Sequence, residues 1–362
     1  MSVLFDAQVH NLWASFSFSS GSLSKNNGGK KRMKKWLFSL VALLLLAGCG
    51  AEDSKSKNED GLTEVTMVLD WTPNTNHTGL YVAQEKGYFK DEGLEVEIMM
   101  PGETGADQLV AAGRADFGIS AQEAITEARV QDVPIVSIGA IIQHNTSGFA
   151  SPVEKNITSP KDFEGKTYGG WGAPVEEAVI SSLMEGENAD INKLDIVNMG
   201  NTDFFTAVKR DIDFAWIYYA WTGIEAEIRG DDLNMMYLTD FSDQLDYYTP
   251  VISTNESMIN KNPDTVKAFM AAVTKGYQFA IENPDEAADI LVKAVPDLDA
   301  ELVKKSQQWL ATRYQDDAPR WGEQKEEIWE NYMNWMFDRD LLEEKIDVKK
   351  AFTNEFLPKQ GE

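Results

Sequence analysis

From Glu64 onward the chain alternates short apolar, strand-like runs with segments of helical periodicity, and this alternation restricts its fold more than any other feature. Strands that recur between helical patterns are buried on both faces by those helices, so the pattern predicts an α/β fold with mainly parallel sheets. Residues 64–69 read as a first strand, 78–89 as helical and 94–98 as a second strand. A short helix over 106–112 stops at Gly113, and 116–119 and 133–142 read as further strands. The composition turns polar at 143–148, where a chain would cross to another domain. Beyond it come a strand at 166–169, a helix at 175–185, and strands at 194–198 and 214–219 around a helix at 202–209. Residues 247–252 read as the return crossing, and Asn262-Pro263 opens a helical tail over 264–282, 284–293, 299–314 and 323–337. Trp309, Trp321, Trp329 and Trp335 on that tail are expected to pack against the first domain. A chain of 362 residues, 43% of them hydrophobic, is large enough for two such domains.

The amino terminus has a different composition. Met33-Lys34-Lys35 begins a basic run, and the apolar segment 36–46 is too short to span a bilayer permanently. It ends in Leu46-Ala47-Gly48-Cys49, which resembles a bacterial lipobox and contains the sole cysteine. The expectation is a signal peptide at 33–48, lipidation of Cys49, a polar tether over 49–61, and a non-native upstream extension at 1–32. The mature protein would then sit on the extracytoplasmic face of the cell membrane. A formal charge of -26 argues against nucleic acid as a partner, since phosphate binding needs clustered Lys and Arg. One cysteine supplies neither a disulfide framework nor a thiolate metal site.

Four stretches carry residues that could hold a ligand. At the carboxyl end of the first strand, Asp70, Trp71, Asn74 and His77 combine an aromatic face with acceptors and donors, around a turn stiffened by Pro73. Loops at such strand ends are where open α/β sheets collect ligands. Ser120 and Glu123 fit a capping box for the next helix and are equally placed to touch a ligand. Trp171, Gly172, Ala173 and Pro174 form a glycine-rich strand-to-helix turn, where a ligand could approach backbone N–H groups. Lastly, Tyr218, Tyr219, Trp221 and Glu225 crowd the exit of the strand that carries Phe214 and Trp216. Catalytic signatures are missing from the sequence. Three histidines stand apart, no Gly-x-Ser-x-Gly elbow occurs, and Glu176 and Glu177 read as helix-surface carboxylates rather than a glycosidase pair. Binding accounts for these residues better than catalysis, with no cofactor and no metal.

Asp70-Trp71-x-Pro-Asn74 with His77, Ala83-Gln84-Glu85-Lys86-Gly87-Tyr88-Phe89, Glu92-Gly93-Leu94 and Gly113-x-Ala115-Asp116-Phe117-Gly118 together resemble the thiamine-pyrimidine-related periplasmic binding proteins. Gly-Trp-Gly-Ala-Pro at 170–174 and Ala-Trp-Ile-Tyr-Tyr-x-Trp-x-Gly-Ile-Glu at 215–225 are most similar to the formylaminopyrimidine-binding lipoproteins of that family, which serve an ABC importer. The resemblance covers nearly all of 62–360. It implies a two-lobed, type II binding-protein fold with two crossover segments, lobe 1 being 62–145 plus 253–362 and lobe 2 being 146–252. It also implies an aminopyrimidine ligand between the lobes, an ABC permease as partner and a monomer. Carried over by motif, its binding residues are Asp70, Trp71, Gly172 to Pro174, Tyr218 or Tyr219, and Glu225. A charge-assisted bond from the ligand's amine to Glu225 or Asp70 is the expected contact. A related branch of fungal pyrimidine synthases has a histidine after the third strand and a cysteine-rich run near the return crossing. Residues 120–125 and 247–252 have neither.

Overall fold

The structure is a computed structural model that describes residues 55–200 and 202–359. The expected upstream extension, the signal peptide, Cys49 and the tether up to residue 54 lie outside these residues. Ten strands and twelve α-helices are described. In chain order they run β1 Thr63–Val68, α1 Thr78–Glu85, α2 Tyr88–Asp91, β2 Leu94–Met99, α3 Ala106–Ala111, β3 Phe117–Ser120, α4 Gln122–Val130 and β4 Ile135–Ala140. Then follow β5 Ser147–Pro152, β6 Thr167–Gly170, α5 Pro174–Gly186, β7 Asp195–Asn198, α6 Phe204–Ala207, β8 Phe214–Tyr218, α7 Ile224–Arg229 and β9 Leu233–Tyr237. The chain closes with β10 Val251–Asn255, α8 Glu256–Lys261, α9 Pro263–Glu282, α10 Pro284–Ala294, α11 Ala300–Leu310 and α12 Glu326–Phe337.

The strands form two five-stranded sheets, ordered β2-β1-β3-β10-β4 and β7-β6-β8-β5-β9. In the first, β1 runs parallel to β2 and β3, while β10 returns antiparallel to β3 and β4. In the second, β6 is parallel to β7 and β8, and β5 is antiparallel to β8 and β9. The expected mainly parallel sheets are therefore mixed, because each contains a strand that arrives from the other sheet. The carboxyl ends of β1, β3, β6 and β8 thus carry the loops singled out in the sequence.

Helix α9 has Pro263 at its first turn, where a missing N–H costs nothing, and buries a face from Val266 to Ala280 against the first sheet. The Phe269 ring stacks on Phe117 of β3 at 3.8 Å. Helices α1 and α9 meet backbone to backbone, since a Cβ on Gly276 would lie 2.0 Å from the Gly79 carbonyl oxygen. A second buried cluster joins Val68 and Ile135 of the first sheet to Phe149, Phe214 and Trp216 of the second, with α12 lying over it. Trp321, Trp329 and Trp335 are fully buried, as packing residues should be, whereas Trp309 is half-buried beneath Arg313.

Candidate functional site

The loop after β1 is built by its own side chains. Asn74 caps the single 3-10 turn Thr75–His77, its Oδ1 accepting from the Asn76 N–H at 2.9 Å while its Nδ2 donates to the Thr72 carbonyl at 3.0 Å. His77 is fully buried. Its Nδ1 accepts the Asn74 N–H at 3.2 Å, which leaves the proton on Nε2 to be donated to Asp70 Oδ1 at 2.8 Å. Asn74 and His77, expected to face the ligand, instead hold the loop and orient Asp70. Of the four loop candidates, only Asp70 and the 62% exposed Trp71 remain open. From outside, Tyr277 and Tyr314 donate to the Asn76 and Thr75 carbonyls, each at 2.6 Å.

Ser306 of α11 ties this loop to the strand exit of the other sheet. Its hydroxyl lies 2.6 Å from the Thr75 hydroxyl and donates to the Ala220 carbonyl. The chain leaves β8 through a π-helical turn over Tyr219–Gly223. Here Gly223 is required, because a Cβ would come within 2.4 Å of the Tyr219 ring. The alternation of β8 puts Phe214, Trp216 and Tyr218 on one face. Tyr218 is 44% exposed, yet burial pushes its hydroxyl up to about 12, with the Thr249 side chain hydrogen-bonded to it and Glu123 and Asp70 nearby. A crowded hydroxyl on an open ring marks the wall of a gap. Tyr219 faces elsewhere, its ring against Trp309 at 5.2 Å and its hydroxyl donating to Glu227.

Two more carboxyls belong to this gap. Burial raises Asp107 of α3 to about 7; the neighbouring Ser120 hydroxyl opposes the rise and the Asp70 charge adds to it. Asp107 Oδ1 is buried without a hydrogen-bond partner. Burial raises Glu123 to about 8, with Glu127 and Glu176 adding to the effect and the Tyr332 hydroxyl opposing it. The expected Ser120–Glu123 capping box does not form. Helix α4 starts one residue later, on Ala121, which has no side chain to cap with.

The glycine-rich turn is occupied by its own helix. Glu176, 2% exposed, accepts the Gly172 N–H at 2.6 Å, the Ala173 N–H at 2.8 Å, the Trp171 N–H at 3.1 Å and the Tyr168 hydroxyl at 2.6 Å. The N–H groups expected for a ligand are thus taken, and Glu176 is an internal anchor rather than a surface carboxylate. Pro174 opens α5, and the Trp171 ring lies 5.5 Å from that of Trp216. Glu225 is paired within its own helix. Its carboxylate is bound by Arg229 one helical turn on, with Nε at 2.9 Å, and the guanidinium rests 4.1 Å over the Phe205 ring.

Asp70, Ser120 and Tyr218 thus converge with Glu123, which the sequence placed equally as a cap or a ligand contact, and with Asp107 and Thr249, which sequence reasoning did not assign to a ligand. The signal available for Glu123 was its place on the first turn after a strand end. Nothing in the spacing distinguished Asp107. No group of side chains suited to a metal ion occurs among the described residues, and no described helix is long and apolar enough to cross a membrane.

Known proteins resemble this chain in sequence and in fold. The formylaminopyrimidine-binding protein of Halalkalibacterium halodurans is 30% identical over 323 residues, 87% of this chain and 96% of that protein. A 4-amino-5-hydroxymethyl-2-methylpyrimidine phosphate synthase of Legionella pneumophila is 26% identical over 82% of this chain and 93% of its own length. Among solved structures, the periplasmic aliphatic sulphonate binding protein SsuA of Escherichia coli superposes with a TM-score of 0.64 at 12% identity, over 83% of this chain and 94% of that one. The fold is accordingly the two-lobed periplasmic-binding-protein fold, and because residues 74–287 match the family model described as NMT1/THI5 like, the chain belongs to that family.

Proposed function

We propose that the protein is an extracytoplasmic solute-binding lipoprotein, anchored through Cys49. It captures N-formyl-4-amino-5-aminomethyl-2-methylpyrimidine between lobe 1 (62–145 plus 253–362) and lobe 2 (146–252) and delivers it to an ABC permease. The observation that carries this reading is the convergence of Asp70 and Glu123, from the strand ends of one sheet, on the open ring of Tyr218 from the other. An aminopyrimidine offers two apolar faces and an edge of amine donor beside ring-nitrogen acceptor. Carboxyls suit that edge, and the rings of Trp71 and Tyr218 suit its faces.

Asp70 is oriented by the His77 N–H before any ligand arrives, so little of its binding contribution is lost to ordering. Net of desolvation, a hydrogen bond to such a charged acceptor contributes about 1.5–3 kcal/mol. Each ring stack adds about 0.5–1.5 kcal/mol beyond area burial. With burial of the ring these reach the roughly -8 kcal/mol of micromolar binding. Contacts drawn from both lobes stabilise the closed state over the open one, which gives the permease a conformation to recognise. A sulfonate receptor needs cations or free N–H donors in the gap, and here the gap groups are acids while the glycine-turn N–H groups are consumed by Glu176.

The name of the formylaminopyrimidine-binding relative agrees with this reading. A melting assay with the formylated pyrimidine, its deformylated amine, thiamine and taurine tests it. The formylated pyrimidine should raise the midpoint most and taurine not at all; stabilisation by taurine alone would refute the proposal. The synthase relative calls for one control. Mass spectrometry after incubation with pyridoxal phosphate should recover the pyrimidine and the phosphate unchanged.

A further inference from the structure

Glu123 lies on the first turn of α4, half-buried, at the carboxyl end of β3. The capping box that would have occupied it is not formed. The titratable groups facing it are Glu127 one turn on along α4, Tyr332 of α12, Glu176 of α5, Tyr218 of β8, and Tyr247 of the segment leading into β10. None of these neighbours is a cation. Tyr332 is fully buried, its ring stacked on Tyr247 at 4.0 Å, and its hydroxyl beside Glu123 makes no complete hydrogen bond. The wall between the sheets thus holds a half-buried carboxyl with no cation among these neighbours, next to an unanswered hydroxyl and near the 44% exposed Tyr218.

On the reading that the gap takes an aminopyrimidine, we infer that Glu123 is the specificity-determining residue for the ligand's amidine edge, holding ring nitrogen and exocyclic amine in one two-point hydrogen-bonded pair. The carboxyl O–H donates to the ring nitrogen, and its carbonyl oxygen accepts the amine N–H. A carboxylate without the proton would set an acceptor against the ring nitrogen's lone pair, so the pair requires one proton, resident on the oxygen or passed to the ring. Burial already raises this carboxyl to about 8, so near neutral pH the empty site carries the proton that the pair needs. Asp70, already tied to His77, is left to the rest of the ligand.

The proton requirement gives a test. Calorimetry with the formylated aminopyrimidine at pH 7 and pH 9 should show wild-type affinity falling about tenfold, because the free carboxyl loses its proton over that range. Glu123→Gln presents the same acceptor and donor without a titrating proton. It should bind at pH 7 within about fivefold of wild type and lose that tenfold fall. Asp107, Glu127 and His144 are present in both proteins, so the tenfold fall that Glu123→Gln loses reports the Glu123 proton. Glu123→Ala should bind at least tenfold more weakly at pH 7, with an unchanged melting midpoint of the empty protein as the check on folding. Wild-type affinity in Glu123→Ala, or a pH profile of Glu123→Gln that follows wild type, overturns the assignment while leaving the aminopyrimidine reading intact. Failure of the wild-type protein to bind any aminopyrimidine overturns both.

Discussion

Removing the Glu176 carboxylate should unfasten the glycine-rich turn. In Glu176→Ala four donors lose their acceptor, namely the N–H groups of Trp171, Gly172 and Ala173 and the hydroxyl of Tyr168. Trp171 is half-buried and Gly172 exposed, so water can replace the carboxylate for those two. Tyr168 and Ala173 are buried, and each donor left unsatisfied there costs about 1–3 kcal/mol. The expected loss is about 4 kcal/mol, of the order seen when one partner is removed from a buried charged network. Glu176→Gln keeps one carbonyl acceptor for the N–H groups, and the Tyr168 hydroxyl can turn to accept from the new amide, so it should cost only about 1–2 kcal/mol. Urea unfolding of the soluble chain, with hydrogen exchange at 171–173, measures both effects. A Glu176→Ala loss below about 1 kcal/mol would show that these hydrogen bonds do not hold the turn.

Two further substitutions probe the connection between β4 and β5 and the strand exit. His144 bridges Asp246 at 2.6 Å and Asp317 at 3.2 Å, and the Asp246 hydrogen bond is the main cause of its rise from 6.5 to about 9. This raised value makes its stabilisation complete below about pH 6.5 and lost as pH climbs through about 9. With 37% of the side chain exposed, solvent screening reduces the contribution to about 1–2 kcal/mol. The gap in stability between wild type and His144→Gln, followed by urea titration, should therefore close between pH 6.5 and pH 10; a constant gap refutes the bridge. Glu225→Ala breaks only an i,i+4 pair with Arg229, so it should change stability by about 0.5 kcal/mol or less. Its ligand affinity should change less than about threefold, by calorimetry. A tenfold loss would put Glu225 in the gap.

The sheet-and-helix alternation was legible because strand and helix periodicity are local, as were the four loops at strand ends and the burial of Trp321, Trp329 and Trp335. The pairing partners of each hydrogen-bonding group were not legible. His77 and Asn74 read as ligand contacts because a loop rich in polar side chains looks the same whether those groups face outward or fasten the loop. Glu176 read as a surface carboxylate because nothing in helical spacing reveals that the preceding turn folds back over it. Asp107 reaches the gap only because α3 packs beside β3, a long-range fact with no short-range signature. Choosing Tyr218 over Tyr219 needed the alternation of β8 and the π-helical turn that follows it.

The most direct test of the central claim is a crystal structure of the protein grown with saturating formylaminopyrimidine. The account predicts ring density between Trp71 and Tyr218, with the amine edge within hydrogen-bonding distance of Glu123 or Asp70. Ligand density confined to a separate hollow, the one lined by Tyr219, Gly223, Glu227 and Leu233, or none in the gap at saturating concentration, would contradict it.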